Sequence, residues 1–176
     1  SANEPEHGRE LWVSDGTAAG TQLLRDIDPG TESGFPGGIA SNGSVALFLG
    51  HAPETGMELW RTDGTPAATT LLREVHPGPD SGSVGNLIAA GSSFVFTTST
   101  DVSTHFWTSD GTAAGTRETA AFARLSFGSR LTDIDGTLYF SAANSLNGYE
   151  PWKSDGTVAG TSMIANIGRD EAPSSD

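Results

Sequence analysis

Carboxylates, imidazoles and amides are plentiful in this sequence, but few of them stand at spacings that chemistry uses. The four histidines, His7, His51, His76 and His105, include no two at the separation by which one helix or one hairpin grips a metal ion. Neither a His-Glu-x-x-His stretch nor a Gly-x-Ser-x-Gly elbow occurs, so the best-known zinc-hydrolase and serine-hydrolase signatures are missing. Asp26-Ile27-Asp28 and Asp133-Ile134-Asp135-Gly136 begin as a calcium loop begins, yet the remaining oxygen ligands do not follow. A tight turn accounts for both segments. No cofactor is therefore expected, and if calcium binds, Asp133 and Asp135 are its candidates.

The aspartates that recur are Asp15, Asp63, Asp110 and Asp155, each inside the sequence Ser/Thr-Asp-Gly-Thr and each three residues after one of Trp12, Trp60, Trp107 and Trp152. An aspartate before glycine folds its carboxylate onto the backbone N–H groups of its own turn, the glycine takes the left-handed conformation, and the threonine hydroxyl caps the other side. A reactive group repeated four times around a rim would be unusual, so these aspartates are expected to build turns. The tryptophans, 48, 47 and 45 residues apart, are suited to wedging between neighbouring units.

The elements that must position these residues follow from the rest of the repeat. Gly43, Gly91 and Gly136 lie 17, 16 and 16 residues before the next tryptophan, each with a short apolar stretch before it and an aromatic-rich one after it. β-Branched and aromatic runs bounded by Gly, Asn, Asp and Ser read as strands joined by tight turns. A third strand ends on the tryptophan phrase, and a fourth covers 21–27, 69–75 and 161–167; the third copy, 116–122, departs most from the pattern. No sustained helical period occurs. Four short strands per unit of about 45 residues is the arithmetic of a β-propeller blade. The expected fold is all-β: a two-stranded half-blade over 1–30, blades over 31–78, 79–124 and 125–168, and the start of a further unit at 169–176, about 14 strands in a single array over 1–176.

The phrase Glu10-Leu11-Trp12-Val13-Ser14-Asp15-Gly16-Thr17 and its copies resemble the ELWxxDGT repeat of secreted bacterial proteins, and the turn is similar in logic to the Asp-box hairpins of sialidase-type propellers. The likeness is specific at Leu11-Trp12, Asp15-Gly16-Thr17 and Ala19-Gly20-Thr21. The copies depart from it at His105-Phe106, at Ala68 and at Pro151. The resemblance implies a propeller-like scaffold and export to the cell surface or beyond, and it implies no particular reaction.

Composition narrows the partners. Across 176 residues there are 9 basic and 22 acidic side chains, a formal net charge of −13, which opposes binding to a phosphate backbone or an anionic membrane. No run is apolar enough to span a membrane, and cysteine is absent. Function is expected in the loops that differ between units. In a propeller the loops between the second and third strands and those between blades emerge on one face, away from the Asp-Gly-Thr hairpins. That face should carry His51, Glu54, Asp101, His105 and Asn144, with Asp28, Glu32, His76 and Asp80 from the connections. His51, Glu54, His76, Asp80, Asp101 and Asn144 are the candidate ligand-binding residues, for a glycan or a protein. The expected function is binding or adhesion without a catalytic step. The rivals are an assembly module whose open half-blades pair with other copies or segments, and the scaffold of a hydrolase with acidic residues facing a central channel.

Overall fold

The computed structural model describes residues 1–79, 83–100, 102–122, 124–125, 131–144 and 146–167. Four antiparallel sheets follow one another along the chain. The first joins β1 (Ala2–Glu4), β2 (Gly8–Val13) and β3 (Gln22–Arg25), and the second β4 (Gly37–Ser41), β5 (Ala46–Ala52), β6 (Gly56–Thr62) and β7 (Thr70–Arg73). The third contains β8 (Ser83–Ala90), β9 (Ser93–Ser99), β10 (Thr104–Ser109) and β11 (Arg117–Phe122). In the fourth, β12 (Arg124–Leu125) and β13 (Thr132–Ile134) both pair with β14 (Thr137–Ala143), which leads to β15 (Tyr149–Ser154) and β16 (Ser162–Met163). These up-and-down sheets are β-propeller blades, and the chain is all-β apart from one 3₁₀ turn at Pro66–Ala68 among the described residues.

Two details differ from the sequence expectation and bring the strand number to sixteen among the described residues. The half-blade, expected to have two strands, has three: the added one is β1, whose Ala2, Asn3 and Glu4 pair with Glu10, Arg9 and Gly8. The opening strand of the last blade is also split into β12 and β13. The fourth strand of the third unit, furthest from the repeat pattern in sequence, forms fully as β11. Its Phe122 is buried, and packing supplies what the pattern lacked.

The core lies between the sheets, in three seams. Leu11, Leu24 and Ile27 of the first unit meet Phe48, Ala52 and Trp60 of the second. Leu47 and Leu59 meet Phe94, Phe96 and Trp107, and Val95 and Phe106 meet Leu138, Phe140 and Trp152. The period of two along a strand explains the phrase: Leu11 and Leu59 face the following sheet, and Trp60, the residue after Leu59, faces the preceding one. Trp60 and Trp152 donate their indole N–H to the carbonyls of Gly50 and Ala142, each at 3.1 Å.

The seams are closed differently. Arg25 places its guanidinium 5.9 Å from the Trp60 ring, and Arg73 lies 5.7 Å from that of Trp107 while donating to the carbonyl of Thr116 at 3.2 Å. At the corresponding step of the third unit the chain has Ala120, and aromatic packing takes over. Phe106 stacks on Phe140 at 5.0 Å, and Phe122 meets Trp152 edge-on at 4.9 Å.

Candidate functional site

The four Asp-Gly-Thr turns are closed units. Asp15 Oδ1 accepts from the Thr17 N–H at 2.9 Å and from its hydroxyl at 2.7 Å, the Thr17 hydroxyl accepts from the Gly20 N–H, and the Thr21 hydroxyl donates to the Thr17 carbonyl at 2.6 Å. The same bonds recur around Asp63, Asp110 and Asp155. In all four the threonine hydroxyl is the main cause that holds the aspartate pKa below its ordinary value. Gly20, Gly115 and Gly160 lie so close to their aspartates that a Cβ would run into the carboxylate. Where Ala68 replaces glycine, its N–H reaches the Thr65 hydroxyl at 3.3 Å rather than the 3.0 Å seen for Gly20, and the loop winds into the 3₁₀ turn. The aspartates are thus occupied in the turns they build.

The first residue of the phrase does work that the sequence reading did not assign. Glu10, Glu58 and Glu150 are buried, and each reaches across its sheet to pin the connection that leaves it. Glu10 Oε1 accepts from the N–H of Gly34 at 2.8 Å and of Asp28 at 3.3 Å. Glu58 accepts from Val75 at 2.6 Å and from His76 at 3.0 Å, and Glu150 accepts from Ile167 at 2.7 Å. Burial pushes the carboxyls of Glu10 and Glu58 above their ordinary pKa, outweighing the amides that favour the anion. A signal existed in the sequence: glutamate recurs at one position in three of four copies, two residues before the tryptophan.

With the connections held, the candidate ligand residues take definite places. His51 and Asp28, from different units, are brought together: His51 Nδ1 lies 3.1 Å from Asp28 Oδ2, with Asp28 buried and His51 part exposed. The His51 N–H donates to the Gly34 carbonyl at 2.7 Å, and Gly34 is itself held by Glu10. The next residue, Phe35, is 58% exposed with φ +44°, a left-handed backbone that an aromatic residue seldom adopts. Glu54 is exposed in the β5–β6 loop, Glu32 is exposed on the first connection, and His76 is exposed beside the pin of Glu58. Asn144 is used locally, accepting from the N–H of Leu146 at 2.9 Å and of Asn147 at 2.7 Å. Asp80 and Asp101 lie outside the described residues.

Asp133 and Asp135 sit exposed at the β13–β14 turn, where Asp135 (φ +50°) and Gly136 (φ +80°) make the reversal. No group of three His, Asp or Glu side chains placed to hold a metal ion occurs among the described residues. His7 contacts Glu4, which holds its imidazole above the ordinary pKa, and His105 contacts Glu118 and Ser103. An aromatic face, a part-exposed imidazole and a buried carboxylate at one seam can stack on and hydrogen-bond a polar ligand.

No protein-family model matches this sequence, and no curated protein matches it. Among solved structures the chain is similar to TolB from Acinetobacter baumannii, at 16% identity and a TM-score of 0.45, over 84% of this chain and 35% of that one. It is also similar to an oligogalacturonate lyase in complex with manganese, at 11% identity and a TM-score of 0.48, over 83% of this chain and 39% of that one. The chain thus spans well under half the length of either structure.

Proposed function

We propose that this chain is a binding or adhesion module in an exported propeller array of the ELWxxDGT type, taking a glycan or protein ligand at the seam between its first two sheets. The observation that carries the reading is the Asp28–His51 pair beside Phe35. These residues have no counterpart in the other copies, so the repeat does not require them. They are nonetheless held on a connection that Glu10 pins, with an aromatic ring exposed against the usual preference of its backbone. Export rests on the resemblance of the phrase alone. Binding at this seam requires no chemical step.

Arrays of neutral glycans and of surface proteins, probed in calcium and again in chelator, test the reading. A hit should weaken at least about tenfold, equivalent to 1.4 kcal/mol, in Phe35→Ala and in His51→Ala. Arrays empty under both conditions would count against it.

A second reading, assembly with a further blade, is favoured by the outer face of the last sheet. Tyr139, Ile164 and Ile167 are exposed there at 38%, 50% and 76%, while the second sheet packs its corresponding Leu47, Leu72 and Val75 into the next seam. A stable mass of 18.2 kDa in solution at high concentration would refute self-assembly of this chain.

A further inference from the structure

The third repeat breaks the phrase, and the break joins three side chains into one hydrogen-bonded line. Where the other copies have Glu10, Glu58 and Glu150, β10 has His105. Its Nδ1 lies 2.9 Å from Glu118 Oε1 on β11, and its Nε2 lies 2.8 Å from Ser103 Oγ, two residues earlier and on the same side of the chain. An ionised carboxylate only accepts, so Nδ1 carries the proton and Nε2 turns its lone pair to the serine hydroxyl. Nucleophile, base and orienting carboxylate in this order define the serine-hydrolase triad by geometry, on whatever fold it occurs.

A place for the developing negative charge adjoins the serine. The N–H groups of Val102 and Ser103 both point at Thr100 Oγ1, at 3.4 and 3.2 Å, and that oxygen is 3.0 Å from Ser103 Oγ. An oxygen atom thus already occupies a point faced by two backbone donors and the nucleophile, and an oxyanion held there draws in both N–H groups by a few tenths of an ångström. Thr100 is exposed, and rotation about its χ1 vacates the point. By contrast, among the described residues no hydroxyl bonds the His51 ring, whose Nδ1 meets Asp28.

We propose that Ser103, His105 and Glu118 form an acyl-transfer site for carboxylic esters, separate from the seam at His51. Ser103 Oγ attacks the ester carbonyl carbon while its proton passes to His105 Nε2, and the Val102 and Ser103 N–H groups take the oxyanion. The carbon–oxygen bond to the leaving alcohol then breaks as His105 returns the proton to that alcohol. Water, with His105 again as base, attacks the acyl-serine, releases the acid and restores the hydroxyl. Glu118 is a positioning residue, holding the imidazole through Nδ1. A formal charge of −13 disfavours anionic substrates, so neutral or cationic esters fit best.

The test uses the full chain with a fluorophosphonate probe and with p-nitrophenyl acetate, read by peptide mass spectrometry and by release of nitrophenol. The expected result is an adduct on Ser103 formed about 10²-fold or more faster than on the exposed Ser44 and Ser92, which lack a histidine partner. Ser103→Ala should abolish both the adduct and the nitrophenol burst. His105→Ala should slow labelling by about 10²–10⁴-fold and regain part of it with added imidazole, a rescue that a merely structural role would not give. Glu118→Gln should slow labelling at an unchanged melting midpoint. Adducts spread evenly over exposed serines, hydrolysis by Ser103→Ala at the parent rate, or His105→Ala labelling at the parent rate would each overturn the proposal. Ligand binding at His51 is read independently, so the two sites fail separately.

Discussion

Replacing Glu58 by alanine gives the most direct access to how the sheets are joined. The side chain is fully buried and its two oxygens are the acceptors for the Val75 and His76 N–H groups at the exit of β7. Alanine leaves both donors without that acceptor; each costs about 1–3 kcal/mol if it stays buried, and water that enters the space reduces this. The one lost methylene, Cγ, adds about 0.8 kcal/mol where the space does not collapse. Taken together the expected loss is about 3–5 kcal/mol, a large fraction of the stability of an ordinary domain. Glu58→Gln keeps one acceptor and the shape, so about 1–2 kcal/mol is expected there. Urea denaturation measures the totals, and hydrogen exchange locates them: the Val75 and His76 amides should lose protection before the ladder of β5 and β6 does. A loss below about 1 kcal/mol for the alanine variant, or unchanged protection at both amides, would refute the idea that this carboxylate pins the connection.

Three further outcomes follow from the same geometry. Gly115→Ala should destabilise the third hairpin, because its methyl meets the Asp110 carboxylate, whereas Ala68→Gly in the second hairpin should change the melting midpoint little; paired thermal melts check both. Phe122→Ala empties the site between Phe106, Phe140 and Trp152 and should cost about 3–5 kcal/mol by urea denaturation, with Trp152 fluorescence shifting to the red. The pH dependence has two opposed parts. The turn aspartates, with depressed pKa values, contribute stability that is present above the ordinary carboxylate range and is lost as pH falls through their folded values. Glu10 and Glu58, with raised values, bind protons more readily when folded, so their effect favours the native state at acid pH and is lost as pH rises through the raised values. Melting midpoints across the acid to neutral range should therefore fall less on the alkaline side in Glu58→Gln, and a parallel profile would contradict the assignment.

What could be read along the chain was local. Each Ser/Thr-Asp-Gly-Thr turn closes on itself within a span of eight residues, Ser14 to Thr21 in the first copy, so its chemistry is written in adjacent letters. The repeat period and the alternation of apolar residues determined in the same way that the chain is built of all-β blades, and that tryptophan belongs in the packing between them. The reading stopped where partners are distant in sequence. Glu10 meets Gly34 across 24 residues, Asp28 meets His51 across 23, and His105 meets Glu118 across 13. Those pairings exist because the antiparallel register and the stacking of sheets bring chain ends of different strands side by side, and no local propensity encodes that proximity. The sequence by itself thus determined the repeating unit and its turns. Only the tertiary structure decided that the glutamate of the phrase is a buried pin, and which of the irregular polar residues share a site, because both depend on contacts between strands.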